Sequence, residues 1–252
     1  MIEAADVPAA IAAHAAHAGI FLDVDGTLAP IVPRPELARV LPDVPSILER
    51  LIRRVGVVAV ISGRRSDEVR GLVDVPGLEV VGTHGLERTA EIDAAAMAAI
   101  TEIASAAGAW VEPKGAAVAV HFRSLPDPDA AARAAVGPLT ELAAAHGLEL
   151  VPGRAILELM PVGAPRKGDV VESLAERREL EAVLYAGDDV GDLDAFTALR
   201  RLRSTGRWAC SVAAGGPEVS PAVLDAADLI VDGPGGVVDL LRSIADALDE
   251  AT

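Results

Sequence analysis

Short apolar runs rich in β-branched residues alternate along this chain with Ala-rich segments long enough to be helices. Strands of this kind, separated by helices, are typical of a parallel sheet that is buried on both faces, so the pattern predicts an α/β fold with a doubly wound sheet. Of the 252 residues, 51% are hydrophobic but 2% are aromatic, so the core is built from Ala, Val, Leu and Ile. The predicted core strands are 20–24, 57–61, 79–82, 183–187, 209–213 and 229–231.

The middle of the chain departs from this alternation. A helix-length stretch is followed by two short strands, and the same order of elements then occurs a second time. In the second pair, the strands are expected at 149–151 and 155–159, with the turn at Pro152 and Gly153. This pattern predicts an inserted α+β domain of about 70 residues. We therefore expect two domains, a core formed by residues 1–89 and 164–252 and an insert formed by residues 90–163.

The charge balance excludes some classes of partner. The chain has 22 Lys and Arg against 38 Asp and Glu, a formal net charge of −16, which argues against nucleic acid or an anionic membrane surface as the main partner. No apolar run reaches the ~18 residues of a membrane span, and the first twenty residues do not read as a secretory signal. Since Cys210 is the only cysteine, no intrachain disulfide forms, and we expect a cytoplasmic protein. A monomer is a separate expectation that no sequence feature indicates.

Two carboxylates, Asp23 and Asp25, follow the first predicted strand in the sequence Asp-Val-Asp-Gly-Thr-Leu. One carboxylate at such a turn can attack phosphorus to form an aspartyl phosphate, and the other can act as general acid and then general base. A lone pair of this kind is more often simply a polar turn at the end of a strand. Its companions elsewhere in the chain favour the chemical interpretation.

Three further segments supply those companions. Asp188 follows a second apolar strand and, with Asp23, offers the oxygen ligands that Mg2+ prefers, while the segment lacks the spacing of a Ca2+-binding EF-hand loop. Ser62 ends a third strand, and Lys167 opens a predicted helix, so a hydroxyl and a cation can hold a phosphoryl group. Because the carboxyl ends of parallel strands lie at one edge of a sheet, these residues should converge.

In this order, the four segments resemble the four motifs of the haloacid dehalogenase superfamily. The resemblance covers nearly the whole chain and implies a Rossmann-like core with an α+β cap inserted between the second and third motifs. It also implies Asp23, Asp25, Ser62 and Lys167 as catalytic residues. Mg2+ is then held by the Asp23 carboxylate, the backbone carbonyl of Asp25 and the carboxylate of Asp188.

The insert is similar to the cap of the trehalose-6-phosphate phosphatases, in which Glu-x-Lys, His-x-Arg and Glu-x-x-Pro segments occur. The resemblance implies Mg2+-dependent hydrolysis of a small-molecule sugar phosphate, trehalose 6-phosphate. Sugar hydroxyls both donate and accept hydrogen bonds, so a binding site that contains both carboxylate and cationic side chains can pair with them. The alternative is an ordinary charged strand face, on which His121 packs and positions Arg123. The implied substrate-binding residues are Gly63, Arg64, His84, Glu112, Lys114, His121, Arg123 and Glu158.

The chain departs from the family pattern at three positions. Gly191 and Leu193 stand where Thr and Glu are usual, and Arg166 stands where Asp is usual. These departures leave the residues that carry the chemistry unchanged. They make another sugar or polyol phosphate an alternative substrate, such as sucrose phosphate, glucosylglycerol phosphate or a pseudosugar phosphate. A catalytically silent domain that binds a sugar phosphate or a synthase partner is a further alternative, and so is transfer of the phosphoryl group to an acceptor other than water.

Overall fold

Six parallel strands form the first sheet, as the apolar runs predicted. The computed structural model describes residues 2–86, 91–153 and 155–251. Counted along the chain within this sheet, the strand order is 3-2-1-4-5-6, which is the order of the Rossmann fold. In spatial order the strands are β3 (Glu79–Val81), β2 (Val57–Ile61), β1 (Ala18–Leu22), β8 (Ala182–Gly187), β9 (Trp208–Gly215) and β10 (Leu229–Asp232).

Helices cover both faces of this sheet, which is why its central strands are apolar throughout. Every residue of β1, β2 and β8 is buried. One face packs against α1 (Asp6–Ala13), α2 (Val44–Ile52), α3 (Ser66–Leu72) and α9 (Gly233–Glu250). The other face packs against α6 (Lys167–Arg177), α7 (Leu193–Ser204) and α8 (Pro221–Ala226).

The predicted insert forms a separate antiparallel sheet of four strands. The strands are β4 (Trp110–Pro113), β5 (Val118–His121), β6 (Leu148–Gly153) and β7 (Ile156–Pro161). Their order in the sheet is β4-β5-β7-β6, and α4 (Ala94–Ala106) and α5 (Pro128–Ala145) pack on one face. The helix-strand-strand order therefore occurs twice, as the sequence predicted.

One turn in this sheet differs from the expectation. The sequence indicated a turn at Pro152 and Gly153, but β6 continues through both residues, and Gly153 pairs with Ile156 of β7. Ala155 takes the left-handed conformation instead, with φ of 54°. The two strands are thus longer than the apolar runs alone suggested, because Pro152 lies on an edge strand, where a missing N–H is tolerated.

The chain divides into two compact units, Met1–His84 with Arg166–Thr252, and Gly85–Pro165. The first expected domain boundary, 89/90, lies in a segment outside the described residues. The second expected boundary is 163/164, and the division between the two units falls between Pro165 and Arg166. None of the helices described between residues 2 and 251 is both long and apolar enough to cross a bilayer.

Candidate active site

The loop after β1 carries the first two carboxylates of the predicted site. It is a tight turn in which the Gly26 N–H donates to the carbonyl of Ala29 at 2.7 Å. Gly26 has φ of +78°, and a Cβ there would collide with the Asp188 carboxylate. Glycine therefore satisfies both the backbone conformation and the close approach of the segment that follows β8. This approach brings Asp188 against the loop that begins at Asp23.

A buried ammonium group lies between two buried carboxylates in the same unit. The Nζ atom of Lys167 is 3.1 Å from Oδ2 of Asp23 and 2.7 Å from Oδ1 of Asp192. Lys167 is the first residue of α6, as the sequence predicted, and its side chain is 6% exposed. Burying three charged groups requires such pairing, because an isolated charge in the interior is costly.

Asp192 uses both of its oxygens to organise this network. Oδ1 also accepts a hydrogen bond from the hydroxyl of Tyr185 at 2.6 Å. Oδ2 accepts the backbone N–H groups of Asp188 and Asp189, each at 2.9 Å. Gly187 leaves the space for this arrangement, since a Cβ there would collide with the Asp192 side chain. Asp192 thus fixes the position of Lys167 and the backbone that presents Asp188.

Burial and the neighbouring charges shift the proton affinities of these groups. Burial raises the pKa of Asp23 to about 7; Lys167 lowers it, and the charges of Asp192 and Asp25 raise it further. Burial opposes the charge on Lys167, but Asp192 and Asp23 outweigh that effect, so the pKa of Lys167 lies well above its ordinary value. Asp23 therefore needs more positive charge than Lys167 alone supplies to be fully ionised at neutral pH.

The donor set fits a hard divalent cation. Asp23, Asp188 and Asp192 each offer a carboxylate oxygen, and these oxygens lie within 4.8 Å of one another. Both oxygens of Asp192 already accept two hydrogen bonds each, so Asp23 and Asp188 are the better direct ligands. Oxygen ligands of this kind are those that Mg2+ prefers. The Thr27 hydroxyl in the same loop is buried without a hydrogen-bond partner among the described residues, which indicates a polar group still to be satisfied there.

Ser62 and Thr83 hold the backbone of Arg64 from two sides. The Ser62 hydroxyl accepts the Arg64 N–H at 3.2 Å, and the Thr83 N–H donates to the Arg64 carbonyl at 2.7 Å. Ser62 is buried at the end of β2, while Thr83, after β3, has φ of 44°, a conformation that β-branched residues rarely adopt. These contacts fix the position of the Arg64 backbone, from which the side chain extends.

The Arg64 side chain reaches Asp25. Its Nε donates to Oδ2 at 2.6 Å and its Nη2 donates to Oδ1 at 2.8 Å, the two-pronged geometry that Arg and a carboxylate favour. Gly63 lies half-buried between Ser62 and Arg64. The backbone of His84 belongs to a short 3-10 helix, Thr83–Gly85, and its side chain lies outside what the structure describes.

In the second unit, four of the predicted sugar-binding side chains are connected in one row by ion pairs and a hydrogen bond. Nζ of Lys114 is 2.8 Å from Oε1 of Glu158 and 3.8 Å from Oε2 of Glu112. The same oxygen of Glu112 lies 2.7 Å from Nε2 of His121. All four side chains are less than a fifth exposed. Arg123 lies half-buried in the turn that follows β5.

Some residues of these two networks were not predicted as site residues. Asp192 could have been found, because it completes the acidic segment after β8 at a fixed spacing from Asp188. Tyr185 lies inside an apolar strand and gave no signal. Trp110 stacks on His121, with ring centres 3.9 Å apart and planes 3° apart, but the register that pairs β4 with β5 was needed to see it.

Comparisons with known proteins agree with this fold. The family model described as trehalose-phosphatase matches residues 21–102 and 92–220. A trehalose-phosphate phosphatase of Mycobacterium avium is 38% identical over 210 residues, which cover 73% of this chain and 52% of the relative. A Mycobacterium tuberculosis protein described as an uncharacterized glycosyl hydrolase is 39% identical over 204 residues, which cover 72% of this chain and 15% of the relative. The chain thus spans only part of the length of these curated relatives.

Solved structures match the fold over almost the whole chain. The C-terminal domain of Candida albicans trehalose-6-phosphate phosphatase superposes with a TM-score of 0.82 at 21% identity, covering 97% of each chain. A phosphatase of the haloalkanoate (HAD) enzyme superfamily from Bacteroides thetaiotaomicron gives a TM-score of 0.61 at 17% identity, covering 92% of this chain and 96% of that one. The family model covers well over half of the sequence, and the chain belongs to the trehalose-phosphatase family.

Proposed function

We propose that this chain is a Mg2+-dependent phosphatase that hydrolyses trehalose 6-phosphate through a phosphorylated Asp23. The observation that carries the proposal is the buried Lys167 bridge between Asp23 and Asp192. This bridge holds the Asp23 carboxylate next to the Lys167 ammonium group, at the end of β1. The family to which the chain belongs is named for this activity. A domain that only bound sugar phosphates would not need a buried network centred on a nucleophile.

In the first step, a carboxylate oxygen of Asp23 attacks phosphorus. The bond between phosphorus and the sugar oxygen breaks, and its electron pair stays with that oxygen, which takes a proton from the Asp25 carboxyl group. A mixed anhydride, the aspartyl phosphate, forms on Asp23. The sugar leaves as the free alcohol, and Asp25 is left ionised beside Arg64.

In the second step, a water molecule attacks the phosphorus of the aspartyl phosphate. Asp25 takes one proton from this water, the bond between phosphorus and the Asp23 oxygen breaks, and inorganic phosphate is released. Asp23 returns as a carboxylate and Asp25 returns protonated, so the enzyme is unchanged after one turnover. The same Asp25 serves as acid and then as base.

Two side chains, Lys167 and Ser62, hold the phosphoryl group during both steps. Lys167 places a positive charge beside Asp23, and the Ser62 hydroxyl, which accepts from Arg64 N–H, can still donate its own proton to a phosphoryl oxygen. Mg2+ would be held by Asp23, Asp188 and the Asp25 carbonyl, and it would supply the positive charge that lets an anionic nucleophile approach an anionic ester.

The second unit is proposed to recognise the sugar. Its ion-pair chain of Glu112, Lys114, His121 and Glu158 presents alternating acceptors and donors, which suits hydroxyl groups. Gly63, Arg64, His84 and Arg123 stay predictions as substrate contacts. A monomer in the cytoplasm likewise stays a prediction from the sequence.

Hydrolysis of another sugar or polyol phosphate is the second candidate, and the three departures from the family pattern motivate it. Leu193 packs against the apolar cluster under α7, and Gly191 faces open space. Nη1 of Arg166 lies 3.4 Å from Asp194 at the surface. All three leave the contacts of Lys167 and Asp192 in place, so they bear on the substrate and not on the chemistry.

Phosphate release from a panel of sugar phosphates, with Mg2+ or with EDTA, tests the proposal. We expect trehalose 6-phosphate to give the highest kcat/KM, EDTA to abolish turnover, and Asp23→Asn to lower kcat by about 10³-fold or more. The matched control is Asp194→Asn, a surface carboxylate outside the network. Turnover of glucose 6-phosphate equal to that of trehalose 6-phosphate would refute the substrate, and an active Asp23→Asn enzyme would refute the mechanism.

A further inference from the structure

Trp110 is a flat aromatic surface held rigidly at the edge of the second sheet. It is the first residue of the edge strand β4 and is 37% exposed, in a chain with only two tryptophans. One face of its indole stacks on the imidazole of His121, directly across the strand pair, with ring centres 3.9 Å apart. Stacking holds the ring in one orientation while much of it stays accessible.

Trp110 lies on the charged face of this sheet and not on its apolar face. Trp110 and Glu112 are two residues apart on β4, so both point to the same side. Glu112 is opposite Ala119, and Ala119 is opposite Glu158, which places all of them on one face. The other face of the sheet packs against α4 and α5.

The indole is connected to the charged groups through His121. The His121 ring that stacks on Trp110 also places its Nε2 atom 2.7 Å from Oε2 of Glu112, and Lys114 lies beyond Glu112. The row therefore begins with an aromatic plane and continues through the His121 ring to Glu112, the Lys114 ammonium group and Glu158. Two residues along a strand span roughly 7 Å, about the width of one sugar ring.

A disaccharide has two kinds of surface, and this row offers a partner for each. Hydroxyl groups at the ring edges need donors and acceptors, whereas the C–H groups on the ring faces are apolar and suit an aromatic plane. We propose that Trp110 is a specificity residue that stacks against one pyranose ring of a disaccharide phosphate, next to the ring contacted by the charged residues. This proposal rests on the proposed function of the second unit in recognising the sugar.

A structural role for Trp110 makes a different prediction. If the indole only packed against His121, an apolar side chain of similar length could replace it without loss of activity. Trp110→Leu keeps an apolar cover but removes the flat ring, and Trp110→Phe keeps a smaller ring. Comparing these two variants therefore separates stacking on a substrate from packing on His121.

The kinetic test uses trehalose 6-phosphate and glucose 6-phosphate on the full chain. We expect Trp110→Leu to lower kcat/KM for trehalose 6-phosphate by roughly 10- to 100-fold, through KM more than kcat, and to lower it at least tenfold less for glucose 6-phosphate. Trp110→Phe should lose roughly threefold or less. Equal losses on the two esters, or equal losses in the Leu and Phe variants, would overturn the proposal.

A binding test that needs no turnover separates this inference from the proposed function. In a Trp208→Phe background, Trp110 is the sole tryptophan, and its fluorescence reports on the surroundings of the exposed part of the indole. We expect a saturable change in fluorescence on titration with trehalose and a weaker change with glucose. This expectation holds even if the panel of esters identifies another disaccharide phosphate as the substrate. No change with trehalose, sucrose or another phosphate-free disaccharide would refute the role of Trp110, whatever the hydrolysis results.

Discussion

The guanidinium group of Arg64 forms two hydrogen bonds with the carboxylate of Asp25, from Nε to Oδ2 at 2.6 Å and from Nη2 to Oδ1 at 2.8 Å. The backbone of Arg64 is in turn fixed by Ser62 and Thr83. Arg64 was expected from the family resemblance to contact substrate, yet this geometry suits a residue that orients the Asp25 side chain. The two roles differ in their kinetic consequences.

Arg64→Lys should lower kcat by about 10- to 100-fold with little change in KM, because a lysine cannot form the two-pronged contact that orients Asp25. Steady-state kinetics on the preferred ester measure both parameters. Arg65→Lys, which alters an exposed arginine paired with Asp67, is the matched control. A higher KM with an intact kcat would instead assign Arg64 to substrate binding.

Asp192→Asn should impair stability and activity together. It removes the charge that pairs with Lys167 inside the protein, and breaking such a buried pair costs about 3–5 kcal/mol. Urea unfolding gives the free energy of unfolding, and phosphate release gives kcat. The exposed Asp194→Asn control should change the free energy of unfolding by less than about 0.5 kcal/mol. Equal stability of the two variants would contradict the account of Asp192.

Gly26→Ala should lower Mg2+ affinity and kcat together. An alanine at this position would have to adopt φ of +78°, which is unfavourable for a residue with a Cβ. Its Cβ would also push against the Asp188 carboxylate and displace one proposed ligand. We expect the Mg2+ concentration for half-maximal activity to rise about tenfold or more. Gly191→Ala is the control, because a Cβ there meets no atom within 4 Å. An unaltered Mg2+ requirement in Gly26→Ala would show that Asp188 is not held by this contact.

Stability should depend on pH through Asp23. The ordinary pKa of an aspartate side chain is 3.8, and the pKa of Asp23 in the folded chain is about 7, so folding takes up a proton between these values. The free energy of unfolding therefore falls as the pH rises through this window. Without metal, Asp23→Asn should be more stable than the parent at pH 8, and this advantage should shrink at pH 5. Mg2+ should also reduce the advantage at pH 8, because a bound cation stabilises the ionised carboxylate of the parent. A constant difference between the two proteins across pH would contradict the assignment.

Much of the fold could be predicted from the sequence because burial leaves a strong pattern. Strands such as β1 and β8 are buried on both faces, so they appear as continuous apolar runs, and their polar ends mark the edge where Asp23 and Asp188 meet. The antiparallel sheet was also recognisable, since its turns and helix-length segments recur. The turn after β6 was misplaced, because Pro152 and Gly153 are typical turn residues that here lie within an edge strand.

The contacts between side chains could not be predicted in the same way. Nothing in the sequence near Arg64 indicates that its guanidinium lies on Asp25, which is 39 residues away. Tyr185 resembles any other core residue, and only the structure places its hydroxyl on Asp192. The stack of Trp110 on His121 depends on strand register, which one sequence does not specify.

Direct detection of the phosphorylated residue tests the central claim most closely. The parent chain is mixed with Mg2+ and its preferred ester, quenched during turnover, and reduced with borohydride, which converts an aspartyl phosphate to homoserine. Peptide mass spectrometry then locates the change. We predict homoserine at position 23, dependent on both ester and Mg2+, and none in Asp23→Asn. Reduction at another carboxylate, or no reduction at Asp23 while phosphate is being released, would contradict the account.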